Sequence, residues 1–257
     1  MNRICYWPIG ATLAVALLAG CSGGGANGYV PTKPPALSAA TVQPGQEATY
    51  FPFAVDDQWT YEATSRTVIN GRVFNGGAQI TYRLKKLTPS PDGGQDATFD
   101  ILDDKNKVSS HEIWRVDQHG IYSVGSGKTA IHMTTPPQLV LPFPVTVDSK
   151  FNWKGTMTND QGKLTQESLA ATVDGQEPVD TAEEPTQTRN AMAVENSGSI
   201  KSPDGNGNVA SKIWFTPKVG IVLFRSLAQY VGKDPKTGKP VQIQVELLRR
   251  LKAVSLK

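Results

Sequence analysis

An all-β fold is expected from two features of this chain: an antiparallel meander curled into a barrel or half-barrel, with a two-sheet β-sandwich as the alternative. Runs of alternating apolar and polar residues recur at intervals of about ten residues, separated by short polar turns. After Gln46, no window of a dozen residues carries a helical period. A meander of that length must curl, because right-handed twist accumulates from strand to strand.

Ordered structure is expected from Tyr50-Phe51-Pro52-Phe53, an aromatic lead-in to Trp59-Thr60-Tyr61. Trp59, Tyr61 and Ala63 alternate with polar neighbours, then Val68-Ile69, Asn70-Gly71 and Val73-Phe74 form the strongest hairpin signal, with a two-residue turn of type I′ composition. Ile80, Tyr82 and Leu84 alternate before Pro91-Asp92-Gly93-Gly94, and Phe99 and Ile101 before Asp103-Asp104-Lys105-Asn106. Asp117-Gln118-His119-Gly120 turns between Ile113-Trp114-Arg115-Val116 and Ile121-Tyr122-Ser123-Val124. Prolines 136, 137, 142 and 144 mark an edge or a crossing connection, since proline cannot donate to a ladder.

Strands resume at Phe151-Asn152-Trp153 and Leu164 to Val173. The acidic stretch from Asp174 to Thr186 reads as a solvated loop. Ala191, Ala193 and Glu195 begin another strand, and Trp214 to Val222 holds two joined tightly. Val241, Ile243, Val245 and Leu247 alternate with polar residues in the last one. Pro52-Phe53-Ala54-Val55-Asp56 before Trp59 is echoed by Pro142-Phe143-Pro144-Val145 and Asp148 before Trp153, which two curled halves or chance would equally produce.

The first twenty residues read as a signal peptide: Arg3 is their only charge, and Ile9 to Leu18 is apolar apart from Gly10 and Thr12. That run is about half the ~20 residues a transmembrane helix needs. Leu18-Ala19-Gly20-Cys21 resembles the lipobox of bacterial lipoproteins at all four positions. The resemblance implies signal recognition through Leu18, Ala19 and Gly20, cleavage before Cys21, a diacylglycerol on the Cys21 sulfur and acylation of the new amino group. Two or three chains, palmitate among them, hold a protein to a membrane for good. Ser22, where lipoproteins kept in the inner membrane usually carry Asp, favours the outer membrane facing the periplasm, with the cell surface as alternative. Residues 21–46 are rich in Gly, Ala, Ser, Pro and Thr and read as a flexible tether, leaving 47–257 as a single antiparallel β domain.

Cys5 lies in the leader, so the mature chain has only Cys21, which excludes disulfides, thiolate metal sites and cysteine nucleophiles. Loss of Arg3 takes the formal charge from +3 to +2, too near neutral for a nucleic-acid protein. Gly125-Ser126-Gly127-Lys128-Thr129 ends like a phosphate-binding loop, but Tyr122 stands where the first glycine belongs, so a turn and no nucleotide are expected. Asp204-Gly205-Asn206-Gly207-Asn208 imitates half a calcium loop, but Val209 and Phe215 stand where Gly and Glu are required, so a Gly/Asn hairpin loop is expected. His111, His119 and His132 lack the spacing of a zinc site on one element. No catalytic residues, metal or cofactor are expected.

The segments Tyr50-Phe51-Pro52, Trp59-Thr60-Tyr61, Arg115-Val116-Asp117, Gly120-Ile121-Tyr122, Trp214-Phe215 and Val219-Gly220-Ile221-Val222 together resemble an uncharacterised group of exported bacterial proteins. In overall pattern the chain is similar to the half-barrel lipoprotein carriers LolA and LolB, a resemblance that implies a concave face for acyl chains, although the helices that plug such half-barrels are not evident here. Trp59, Trp114, Trp153 and Trp214, each near a strand end, are the candidate lining of such a cavity. The expectation is a non-enzymatic, lipid-anchored envelope lipoprotein that binds an apolar ligand, or alternatively a structural or assembly module that binds an envelope protein. An envelope hydrolase built from distant carboxylates ranks third.

Overall fold

The structure, a computed structural model, describes residues 50–257 apart from 52, 160–161, 204 and 234–237. The signal peptide, Cys21 and the tether therefore lie outside the described residues. Twelve antiparallel strands follow in chain order: β1 (Gln58–Ile69), β2 (Arg72–Pro89), β3 (Gln95–Leu102), β4 (Val108–Asp117), β5 (Gly120–Gly127), β6 (His132–Pro142), β7 (Lys150–Thr158), β8 (Leu164–Asp180), β9 (Thr188–Ser202), β10 (Gly205–Thr216), β11 (Gly220–Lys233) and β12 (Pro240–Ser255). Each pairs with its neighbours and β1 closes on β12, so of the architectures expected the chain adopts the closed barrel.

The turns explain the hairpins. Asn70 and Gly71 both have positive φ, 48° and 80°, which is the type I′ geometry their composition predicts. The Asp103 carboxylate accepts from the amides of Lys105 and Lys107, and the Asp117 carboxylate from those of His119 and Gly120. Two expectations fail locally. The Gly/Asn run Gly205 to Asn208 is strand, not loop, because Gly205 pairs directly with Ser202 and the ladder runs on through Asn208↔Ser199. The Asp174 to Thr186 stretch is an exposed loop only in its second half: β8 continues to Asp180, and Asp174, Glu177 and Glu183 have partners described below.

A twelve-stranded barrel is wider than the eight-stranded size that side chains alone fill, so its interior needs a plug. The aromatic lead-in supplies it. Tyr50 is buried, Phe51 stacks on Trp114 at 5.6 Å between ring centroids, and Phe53 packs on Phe99 at 5.7 Å. This plug closes the end where β1 begins, within a large apolar cluster that includes Trp59, Tyr61, Tyr82, Leu84 and Phe224. A smaller cluster of Trp153, Leu169, Ile200, Val209, Ala228, Tyr230, Val241 and Ile243 fills the opposite, hairpin end.

The sequence echo is structural. Asp56 and Asp148 both take positive φ, 74° and 63°, one residue before a tight turn closes. Asp56 donates its amide to the Leu84 carbonyl while Leu84 donates to Asp57; Asp148 donates to Val173 while Val173 donates to Ser149. A bulge follows both partners, between Leu84 and Lys86 and between Val173 and Gly175. Trp114 and Trp214, each followed by a turn and a Gly-Ile pair, both flank a bulge, the first just after it in β4–β5 and the second just before it in β10–β11. The barrel is thus two six-strand halves, β1–β6 and β7–β12, with two seams between them. The seams differ: β12 and β1 share twelve register pairs, whereas β6 and β7 share only Thr134↔Met157 and Thr135↔Thr156. Pro136 and Pro137 follow those pairs at once and have no N–H to continue the ladder.

Candidate functional site

The four tryptophans do not meet. Trp59 and Trp114 share the plugged end, joined through Phe51. Trp153 belongs to the hairpin-end cluster. Trp214 is buried in the large cluster, with the Lys212 ammonium 5.5 Å from its ring centre. All four indole N–H groups have acceptors: the Val219 carbonyl, the Glu112 carboxylate at 3.0 Å, the Pro136 carbonyl at 3.2 Å and the Glu177 carboxylate at 2.9 Å, respectively. These are the partners that structural tryptophans acquire on burial.

Deep inside, one charged chain crosses from half to half. The Arg249 guanidinium donates to the Tyr82 hydroxyl at 2.7 Å, and Tyr82 donates to Glu112 at 3.1 Å, beside the Trp114 N–H on the same carboxylate. Arg249 also lies over the Phe224 ring at 5.4 Å. Arg249 and Glu112 are each only 1% exposed, so neither meets solvent. Burial pushes the Tyr82 hydroxyl well up from its ordinary value, which keeps it neutral and able to donate. The Arg249 Nε and the Ser211 Oγ have no hydrogen-bond partner among the described residues. Nothing in the sequence pattern marks Arg249 as inward, because it stands beside an outward Arg250 that pairs with Glu62 at 2.8 Å.

The acidic stretch is spent on the outer wall. Asp174 and Glu177 both hold Lys212 at 2.7 Å, and Glu183 takes Arg189 in a two-pronged contact at 2.7 and 2.8 Å while accepting from Thr181. The histidines are dispersed: His111 bonds Asp100 at 2.9 Å, His119 meets Gln118, and His132 pairs in register with Ser126. Among the described residues no three His, Cys, Asp or Glu side chains gather as a metal site. Gly125 to Gly127 lie in β5, where a phosphate cradle would require a loop opening onto a helix.

A recess of about 560 Å³ opens at the hairpin end, formed by β10, β11, β12 and the β1–β2 turn. Register explains its lining. Val68, Gln244, Gln229 and Asn208 stand side by side on β1, β12, β11 and β10, and beyond them Gln242, Val231 and Asn206 form a second row next to Asn70. Gly205 and Gly207 let the β11 backbone come close: a Cβ on either would fall 2.1 or 2.2 Å from a β11 carbonyl. Glycine at such a point lets a barrel wall bend. Gln229 donates to Gln244 at 3.2 Å, and Gln244 to Glu246 at 2.7 Å. Sequence reasoning missed this site because the amides lie on four segments up to about 170 residues apart, and the only signal was the Gly/Asn run read as a loop.

No family model matches the chain, and no curated protein does. The fold is shared. An exported protein with a YmcC-like fold from Bacteroides fragilis aligns over 80% of this chain and 98% of its own, at 14% identity and a TM-score of 0.50. A lipoprotein from Parabacteroides distasonis aligns over the same shares at 10% identity and a TM-score of 0.44. The first of these likenesses establishes a common architecture.

Proposed function

We propose that this chain is a non-enzymatic lipoprotein of the bacterial outer membrane, anchored by acyl chains on Cys21, that works through the outer surface of a filled barrel facing the periplasm. The observation that carries the reading is the chemistry of the barrel wall. Its outer face bears Glu62 with Arg250, Arg66 with Glu246, and Lys252 with Gln79, at 2.8, 3.2 and 3.2 Å. A barrel that crosses a bilayer needs an apolar outer band about 25 Å tall. A charged wall belongs in water, so membrane attachment falls to the lipobox cysteine. The protein that shares the fold is itself named an exported one.

The interior supports a binding module over a lipid carrier. The tryptophans expected to line an apolar cavity are buried in two packed clusters with their N–H groups taken, and aromatic residues of the lead-in plug one end. Cells grown on labelled palmitate provide the test. Wild-type protein should carry label and sediment with outer membrane, and Cys21→Ser should be unlabelled and leave the membrane fraction. Label or membrane retention in Cys21→Ser would overturn the anchor.

A further inference from the structure

We propose that the recess at the hairpin end binds a neutral oligosaccharide; this rests on the reading of the chain as a binding module that acts through its outer wall. The lining decides the class of ligand. Six of its side chains are amides: Asn70, Asn206, Asn208, Gln229, Gln242 and Gln244. Each amide offers two donors and an acceptor without charge, which matches hydroxyl groups that both donate and accept. Among the described residues no Asp, Glu, Lys, Arg or His lines the recess, which disfavours phosphates, carboxylates and cations alike. At its edge Glu246 accepts from Gln244 at 2.7 Å and is held by Arg66 at 3.2 Å, and Lys201 pairs in register with Asn206. Among the amides stand Val68 and Val231, of which Val231 is 50% exposed, and the buried Ile243 and Tyr230 lie beneath, in the interior cluster. Sugar rings present hydroxyl edges and apolar C–H faces, and the recess offers a partner to each. Its volume of about 560 Å³ lies within the 300–1,000 Å³ usual for small-molecule sites.

Spacing favours a chain over a single sugar. Gln244, Gln229 and Asn208 occupy neighbouring strands in one register row, so a linear ligand lying across β12, β11 and β10 meets an amide about every 4.8 Å. The recess also lies over the fully paired β12–β1 seam, whereas the corresponding β6–β7 seam is reduced to two pairs. The two halves have therefore diverged at the place where this site is built.

The test uses the full-length protein in a detergent without a sugar headgroup, applied to an array of neutral and acidic bacterial oligosaccharides and followed by titration of the best neutral binder. Wild type should retain neutral oligosaccharides of three or more residues. The double variant Gln229→Ala/Gln244→Ala should bind at least about tenfold more weakly, two hydrogen-bonding side chains being lost. Arg250→Ala, outside the recess on the same wall, should bind as wild type does. Absence of any neutral binder, or equal affinity in the double variant, would overturn the proposal. Since array binding does not depend on acylation, either result leaves the palmitate experiment on Cys21 to be judged separately.

Discussion

Arg249 is the residue with the most at stake in the interior. Its charge is buried with that of Glu112, and the two communicate through the Tyr82 hydroxyl, at 2.7 Å on one side and 3.1 Å on the other. Removing one member of a buried pair strands the other, at a cost of about 3–5 kcal/mol. Arg249→Met should therefore lower the unfolding free energy by about that amount in urea titration, and adding Glu112→Gln should restore part of it. Additive losses in the double variant would refute the coupling. A second residue with a defined pH signature is Glu183. The two-pronged contact with Arg189 holds its carboxyl below the ordinary 4.5, aided by the Thr181 hydroxyl. A depressed folded-state pKa contributes stability that is present above the unfolded value and fades as pH falls through the folded one. Glu183→Gln should thus lower the melting temperature at pH 7 and narrow its gap to wild type below about pH 4. A gap that stays constant down to pH 3 would show that the ion pair contributes nothing.

Individual elements divide into those whose form is local and those whose form is imposed. The Asn70-Gly71 turn is local: two residues that tolerate positive φ sit between apolar alternations, and the hairpin follows. The end of β8 is imposed. Its composition, with Asp174, Glu177 and Asp180 beside a proline, suits a loop, yet pairing with β9 and the Lys212 ammonium hold it as strand. Gly205 to Asn208 was misread for a similar reason, since the same residues that make good turns are required where β10 and β11 come too close for a Cβ. The seam between β6 and β7 makes a prediction of its own. With two register pairs against twelve, it is the weakest closure in the barrel. Hydrogen exchange should be faster at Leu139 to Leu141 and Phe151 to Lys154 than along β1 and β12, because local opening follows low contact density. Equal protection at both seams would contradict this.

For the whole molecule, the alternation of side chains, the turn chemistry and the resemblance to a lipobox are determined by the sequence alone, because each is written within a few neighbouring residues. An all-β meander was legible for that reason, as was the echo between the two halves. Closure, plug and recess were decided by tertiary structure. Gln58 finds Ser255 at the far end of the chain, Phe51 finds Trp114, and Asn208, Gln229 and Gln244 become neighbours only once β10, β11 and β12 are in register. The same holds for the tryptophans: four residues of one type at strand ends look like one lining, but a closed barrel divides strand ends between two rims, and here between two clusters. Long-range pairing sets which of those positions meet, and no local pattern carries that information.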